Sequence, residues 1–284
     1  MAMKGIVAGD LGGTNWTLAL IQKDKVVAKL TVQPKSKTTK DVVALVNSFL
    51  LTHLLKKNEV GFAFGIGGPK IGNVFIDKSK KLRIDATLLK KAFGKNTVIM
   101  NDAEALGAGL PVVYKQFIGK RAAVIIVGTG LGGATGIVGE PFLPGEPGHF
   151  SMHNPLTNKQ GTFGDLLSGQ GLVMLEKKFI GKKIPPENLF KHKDKRVTTI
   201  KHIFSETLGW FVQHMILGIK AEVIFLWGGV IRSNKDLLGQ KFKSTLYKHA
   251  EKEFASLLRK TKIIVIAKDE LPLLGIARMA QKQK

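Results

Sequence analysis

Gly9-Asp10-Leu11-Gly12-Gly13-Thr14-Asn15-Trp16 sets a carboxylate, two adjacent glycines and two small polar side chains between two apolar runs. The run before it, Gly5 to Gly9, reads as a strand, and Thr17 to Ile21 reads as the strand that returns. Glycine lets a backbone come close to a ligand, and the N–H groups of such a turn can face an anion. Asp10 can hold Mg²⁺, directly or through water, because Mg²⁺ takes oxygen ligands and keeps several of its waters. Gly12, Gly13, Thr14 and Asn15 complete a turn suited to the phosphate tail of a nucleotide. The same residues also describe an ordinary hairpin with Gly-Gly at its bend. The rest of the chain has to decide between the two readings.

Four further groups carry chemistry. Asn101-Asp102 follows the apolar run Thr97 to Met100 and precedes a helical stretch. A hydroxyl attacking phosphorus needs a proton acceptor, and a buried Asp is suited to that task; Asn and Asp are also preferred helix caps. Gly128-Thr129-Gly130-Leu131-Gly132-Gly133 satisfies GxGxxG, but the dinucleotide version opens a helix and has an acid about twenty residues on. Here the residues that follow are strand-like, so a second phosphate clamp fits better, with Thr129 reaching the phosphates. Glu146 and His149, close together in a Gly- and Pro-rich segment, can accept from and donate to sugar hydroxyls; no third ligand at suitable spacing makes them a metal site. Gly228-Gly229, after an apolar strand, could let a flat base lie against the backbone; alone, the pair reads rather as an ordinary βα turn. No GxxxxGK[ST] occurs, which excludes a P-loop kinase.

The elements that must position these groups follow from periodicity. Residues 3 to 33 read as three strands. Thr38 to Lys57 has a broad apolar helical face. Gly61 to Ile66 is a short buried strand, Asn73 to Asp77 one arm of a hairpin, and Ala86 to Phe93 a helix capped by Asp85. The strand Thr97 to Met100 leads through Asn101-Asp102 into a helix over Ala103 to Leu110. Ala122 to Val127 opens a second cycle of strand, glycine turn and strand, returning over Ala134 to Val138. Two such cycles suggest duplicated lobes facing one ligand. Gly139 to Pro155 reads as loop, Phe163 to Phe179 and Val197 to Lys220 as helices, and Val223 to Trp227 as a strand. Leu237 to Leu258 reads as helix, Ile263 to Ile266 as strand and Leu274 to Gln281 as a last helix. The boundary between lobes is expected near Pro111: residues 1–110 form a small α/β lobe, joined by the C-terminal helix within 272–284, and 111–271 a large one.

The 284 residues, 44% hydrophobic, suffice for two cores. Cysteine is absent, which excludes disulfides and thiol nucleophiles and fits a reducing cytoplasm. No apolar run reaches the length of a membrane span, and the first strand starts too early for a signal peptide; a soluble cytoplasmic protein is expected, with a homodimer left open. The 44 Lys+Arg against 21 Asp+Glu give a net charge of +23, which attracts polyanions. Lysines are spread along most of the chain and are densest over Lys177 to Lys201, including Lys182-Lys183 and Lys193. A solvated basic surface is expected there and no specific nucleic-acid site.

Taken together, Asp10-Leu-Gly-Gly-Thr-Asn15, Asn101-Asp102, Gly128-Thr-Gly-Leu-Gly-Gly133, Glu146-x-x-His149, Trp227-Gly-Gly-Val230 and Leu273-Leu-Gly-Ile-Ala277 resemble the bacterial-type glucokinases of the actin-like ATPase superfamily, which includes hexokinase. The resemblance covers nearly the whole chain. It implies two actin-like (ribonuclease H-like) α/β lobes, each a mixed sheet with flanking helices, and an active site in the cleft between them. It implies ATP and Mg²⁺, with Asp10, Gly12, Gly13, Thr14 and Asn15 at the first phosphate and metal site. Gly128, Thr129 and Gly130 would form the second phosphate site, and Gly228 and Gly229 would hold adenosine. Asp102 would be the catalytic base on the sugar 6-hydroxyl, with Asn101, Glu146 and His149 as sugar ligands. In the family a Glu precedes a Leu-Ser-Gly-x-Gly-Leu stretch; here Asp165 precedes Leu167-Ser168-Gly169-Gln170-Gly171-Leu172, so the shorter carboxylate would take that role.

The resemblance also has departures. The related repressor–kinase family carries a cysteine-rich zinc motif, which a chain without cysteine cannot form, and its repressors carry an N-terminal helix-turn-helix for which Met1 is too close to the first strand. The Thr-Asn-x-x-Trp of the sugar site is not recognisable in Ile76-Asp77-Lys78-Ser79-Lys80-Lys81-Leu82. The expected activity is an ATP-dependent hexose kinase, a glucokinase first. The alternatives are a kinase for mannose or N-acetylglucosamine, or a non-catalytic sugar sensor that binds polyanions.

Overall fold

The computed structural model describes residues 3–77, 81–181, 184, 189–192, 194–248 and 251–282. Lys182, Lys183 and Lys193 of the basic stretch, and Lys78-Ser79-Lys80, lie outside the described residues. The chain divides into two compact units, one made of Met1–Ile118, Val138–Phe142 and Lys268–Lys284, the other of Gly119–Ile137 and Leu143–Ala267.

In the first unit the strands are β1 (Gly5–Leu11), β2 (Trp16–Gln22), β3 (Lys25–Val32), β4 (Lys37–Thr38), β5 (Val60–Ile66), β6 (Lys70–Ile71), β7 (Val74–Asp77), β8 (Leu82–Asp85) and β9 (Val98–Asn101). Its first three helices are α1 (Thr39–Thr52), α2 (Ala86–Phe93) and α3 (Asp102–Val113). In the second unit lie β10 (Arg121–Val127), β11 (Leu131–Ile137), β12 (Leu143–Gly145), β13 (Ser151–Asn154), β14 (Lys159–Thr162), β15 (Val223–Trp227) and β16 (Lys262–Val265). Its helices are α4 (Gly169–Phe179), α5 (Lys195–Ile219), α6 (Gly229–Ser233), α7 (Gln240–Tyr247) and α8 (Lys252–Lys260). The last helix, α9 (Leu271–Lys282), returns to the first unit.

Each unit is built on a five-stranded mixed sheet, ordered β3-β2-β1-β5-β9 in the first and β12-β11-β10-β15-β16 in the second. The pairing repeats as well. In each sheet the strand that leads into the glycine turn pairs antiparallel with its return strand and parallel with the next strand along. The duplication expected from the two glycine turns is therefore the plan of the fold.

Both faces of β1 are covered, which is why its sequence is continuously apolar rather than alternating. Val7 and Leu11 join one core with Trp16, Phe49, Phe64 and Phe75, under α1 and α2. Ile6 and Ala8 join another with Ala105, Leu274, Ile276 and Ala277 of α3 and α9. Helices α3 and α9 approach closely because glycine lines their contact: a methyl group on Gly275 would overlap the Ala105 carbonyl, and one on Gly109 the Leu271 carbonyl. In the second unit, Phe204, Leu208, Phe211 and Val212 of α5 pack with Ile125, Ile224 and Leu226 in one buried cluster.

Several boundaries differ from the periodicity. The first residues of the expected helix over Phe163 to Phe179 form a separate 3-10 turn, Phe163–Asp165, and the α-helix starts at Gly169 after Ser168, whose side chain caps it. The expected helix over Leu237 to Leu258 is interrupted: Lys248 is extended (φ −71°, ψ 140°) after α7, and α8 starts at Lys252. The segment Gly139 to Pro155, expected as loop, holds β12, a 3-10 turn at Pro147–His149 and β13. Pro111 lies inside α3, and the chain passes to the second unit after Ile118.

Candidate active site

The turn after β1 is closed by its own backbone. The Gly12 N–H donates to the Asn15 carbonyl (3.2 Å), and the buried Trp16 indole N–H donates to the Gly12 carbonyl (3.1 Å). Gly12 and Gly13 are half-buried while Thr14 and Asn15 are exposed, so the turn presents polar groups on a rigid base. Asp10 pairs with Thr17 on one side and Gly65 on the other. Crowding by protein and the negative charge of Asp102 push its carboxyl up to about 7. Two acids share a place where a cation would relieve both burial and repulsion.

Asn101 ends β9, in register with Ile66, and caps α3. Its Oδ1 accepts from the Ala103 N–H (2.9 Å), and its Nδ2 donates to the Gly68 carbonyl (3.3 Å). Asp102 is the first residue of α3, and its Oδ1 also accepts from the Ala103 N–H (2.9 Å). The other oxygen, Oδ2, lies over Gly67, 3.1 Å from where a methyl group on that glycine would sit; the same point is 3.7 Å from the Gly12 Cα and the Leu11 carbonyl. Gly67 in turn donates its N–H to the Leu11 carbonyl (3.1 Å). The first unit thus brings Asp10, Gly12, Asn101 and Asp102 together, with Gly67 as the spacer.

In the second unit, the Gly128 N–H donates to the Gly130 carbonyl (3.0 Å), which closes the turn around Thr129. β11 begins at Leu131, so the motif opens a strand, as the dinucleotide fingerprint does not. Gly228 has φ +115°, and a side chain there would overlap the Val127 carbonyl; the Gly228-Gly229 backbone therefore lies directly against the end of β10. The Gly169 N–H, at the start of α4, donates to the Gly128 carbonyl (2.8 Å). Leu-Ser-Gly-x-Gly-Leu thereby sets a helix N-terminus, the favourable end for an anion, beside the glycine turn. The guanidinium of Arg232 lies 5.9 Å from the centre of the Trp227 ring, just after the Gly228-Gly229 pair.

Glu146 and His149 bracket a single turn in which the His149 N–H donates to the Glu146 carbonyl (3.0 Å), and both side chains are exposed. Glycines at 148 and 164 let this turn and the Phe163–Asp165 turn touch, with a methyl group on Gly164 falling 3.0 Å from the Gly148 carbonyl. Asp165 is exposed, and its Oδ2 accepts from the Thr162 N–H (2.7 Å), so it caps its own turn. Among the described residues no group of three His, Cys, Asp or Glu could hold a metal ion.

Three contributors were not drawn from the sequence. Gly67 touches Asp102 only through the fold. The Gly169–Gly128 bond joins residues about forty positions apart. Glu104, whose Oε2 accepts from the Asn101 N–H (3.2 Å), does have a sequence signal, since Asn101-x-x-Glu104 is a capping-box spacing.

Two five-stranded mixed sheets of one strand order, each with its glycine turn, give the chain an actin-like α/β fold. The chain belongs to the ROK family, whose model matches residues 6–283. No curated protein matches it by sequence. Among solved structures it is similar to a glucokinase from Balamuthia mandrillaris in complex with glucose (19% identity, TM-score 0.78, covering 97% of this chain and 93% of that one). It is also similar to a ROK family glucokinase from Streptomyces griseus in complex with glucose and AMPPNP (16%, TM-score 0.75, 98% and 99%). A third is a ROK family transcriptional regulator, a homologue of the E. coli MLC protein (16%, TM-score 0.76, 98% and 78%).

Proposed function

We propose that this protein is an ATP-dependent hexose kinase, a glucokinase in the first instance, that transfers the γ-phosphoryl group of ATP to the sugar 6-hydroxyl. The observation that carries the reading is Asp102: one oxygen is held by the Ala103 N–H and the other lies over Gly67, beside the Asp10–Asn15 turn. A carboxylate so placed can take the proton of a hydroxyl as that oxygen attacks phosphorus. Asn101 would hold a neighbouring hydroxyl, and Gly12, Gly13, Thr14 and Asn15 would receive phosphate oxygens. Gly128, Thr129 and Gly130 would hold phosphate, Gly228 and Gly229 adenosine, and Glu146, His149 and Asp165 sugar hydroxyls. Asp10 would hold Mg²⁺, and its raised carboxyl marks a place that suits a cation. When bound, Mg²⁺ neutralises the charge that develops on the phosphates.

The similarity to a regulator supports a second reading, a sugar sensor without turnover; a competent acid at 102 weighs against it. A coupled assay with ATP and a panel of glucose, mannose, N-acetylglucosamine and N-acetylmannosamine separates the two. Formation of a 6-phosphate from one of them is expected. Sugar binding without turnover across the panel would favour the sensor.

A further inference from the structure

Helix α3 could have been capped without a carboxylate from its own first turn, as α2 is: the Asp85 carboxylate accepts from the Thr87 and Leu88 N–H groups, and its own N–H donates to the Thr39 hydroxyl (2.9 Å). Instead α3 closes a full box with Glu104. That choice has a cost, because burial raises the Glu104 carboxyl above its ordinary range against the opposing pull of the Asn101 N–H and the charge of Lys70. In the box of α1, by contrast, hydrogen bonds from Ser36 and Thr38 hold the Asp41 carboxyl below its ordinary range. A half-buried carboxylate loses hydration that an exposed cap keeps, so its position calls for another reason.

The reason lies in what Asn101 must hold. Its side chain spans Ala103 and Gly68, and its backbone ends β9 one residue before Asp102. Glu104 adds a third tether through the Asn101 N–H. Strand register, side chain and N–H together tether the backbone from which Asp102 projects, and in that setting its Oδ2 lies over Gly67.

We propose that Glu104 is a positioning residue for this site, acting through Asn101 to aim the Asp102 carboxylate. The proposal rests on the reading of Asp102 as base and adds to it a residue that touches neither substrate nor nucleotide. It predicts that Glu104→Ala lowers kcat by about 10–100-fold, the scale of an ångström-level misplacement, with the KM for ATP nearly unchanged. Glu104→Gln keeps the reach and an acceptor oxygen and restores most of kcat. A lost cap by itself would lower only the melting temperature, so both variants are assayed folded, below their melting transitions and at saturating sugar and ATP. Crystal structures of the two variants give a readout independent of turnover: Asp102 Oδ2 is expected to leave Gly67 in Glu104→Ala and to stay in Glu104→Gln. Unchanged kcat and an unmoved Asp102 in Glu104→Ala would overturn the proposal, as would a Gln variant as impaired as Ala. If the wild-type protein phosphorylated no sugar, the kinase reading would fall, and the two crystal structures would still decide whether Glu104 aims Asp102.

Discussion

At the scale of single residues, the account turns on two acids in one small space. Asp10 is pushed up to about 7 from an ordinary 3.8, by burial first and by Asp102 second. Between those values the folded chain keeps a proton that the unfolded chain has lost, so the stability tied to Asp10 is complete below about pH 4 and falls as pH rises through 7. Asp10→Asn should therefore match the wild type near pH 4 in Mg²⁺-free buffer and exceed it at pH 8, by about 1–4 kcal/mol, as read from urea unfolding. Parallel stability curves for the two proteins would show that Asp10 titrates normally. Gly67 makes a second test. A methyl group there would sit 3.1 Å from Asp102 Oδ2, tight enough to displace the carboxylate, so Gly67→Ala should lower kcat about tenfold or more while the protein stays folded. His149→Ala, in contrast, should raise the KM for sugar far more than the KM for ATP, because its turn carries Glu146 and touches the Asp165 turn, both proposed to hold sugar.

At the scale of elements, the second unit links its proposed sugar turn to its glycine turn through hydrogen bonds. The hairpin of β13 and β14 pairs Ser151 with Thr162. The Phe163 N–H donates to the Phe150 carbonyl (3.1 Å), next to His149, and Ser168-Gly169 then reaches the Gly128 carbonyl. Buried Asn154 holds the hairpin bend by accepting from the Leu156 N–H (2.9 Å). Replacing Asn154 with Ala leaves that donor unpaired and should cost about 1–3 kcal/mol in denaturant titrations; it should also raise the sugar KM, and a loss of stability with sugar KM unchanged would show that the hairpin does not steady His149. This hairpin could not be read from the sequence. Ser151, Met152 and His153 alternate, but the next inward position is the polar Asn154 and the return strand Lys159–Thr162 has no apolar side chain, so what holds the bend is an Asn side chain rather than a hydrophobic period. The first glycine turn, the Asn101-Asp102 junction and the apolar strands were legible because each is local: glycine, a cap residue and a short apolar run fix their own geometry. Asp165 shows the limit of that reading. Its place in a motif suggested a ligand, and in the fold its carboxylate also caps its own turn. Gly67 and Gly169 matter through partners far along the chain, which spacing does not reveal.

At the scale of the whole molecule, the basic charge divides almost evenly between the two units, as a general surface property would. Its lysines meet acids mostly at the surface, as in Lys4–Glu59, Lys120–Glu222 and Lys201–Asp236, where ion pairs contribute little. Any retention on DNA should fade steeply between low and physiological salt, without sequence preference, in a filter-binding titration. Selective binding that survives physiological salt would revive the sensor reading. No described helix is long and apolar enough to cross a membrane. The repeated sheet order, with one glycine turn per unit, was anticipated by the two strand–turn–strand cycles in the sequence. Two copies of one short motif are visible without knowing how the strands between them pair.

The claim on which all of this depends is that Asp102 takes the proton from the attacking hydroxyl. Asn is nearly isosteric, keeps an oxygen that can accept from the Ala103 N–H as Asp102 Oδ1 does, leaves the Asn101 cap of α3 in place, and cannot accept that proton. The direct test is kcat for Asp102→Asn against the wild type, with ATP and the preferred sugar both saturating and the fold checked by circular dichroism. The account predicts a fall of about 10²–10⁴-fold with ATP affinity little changed. A folded Asp102→Asn protein with near-normal kcat would contradict it and assign the base to another residue.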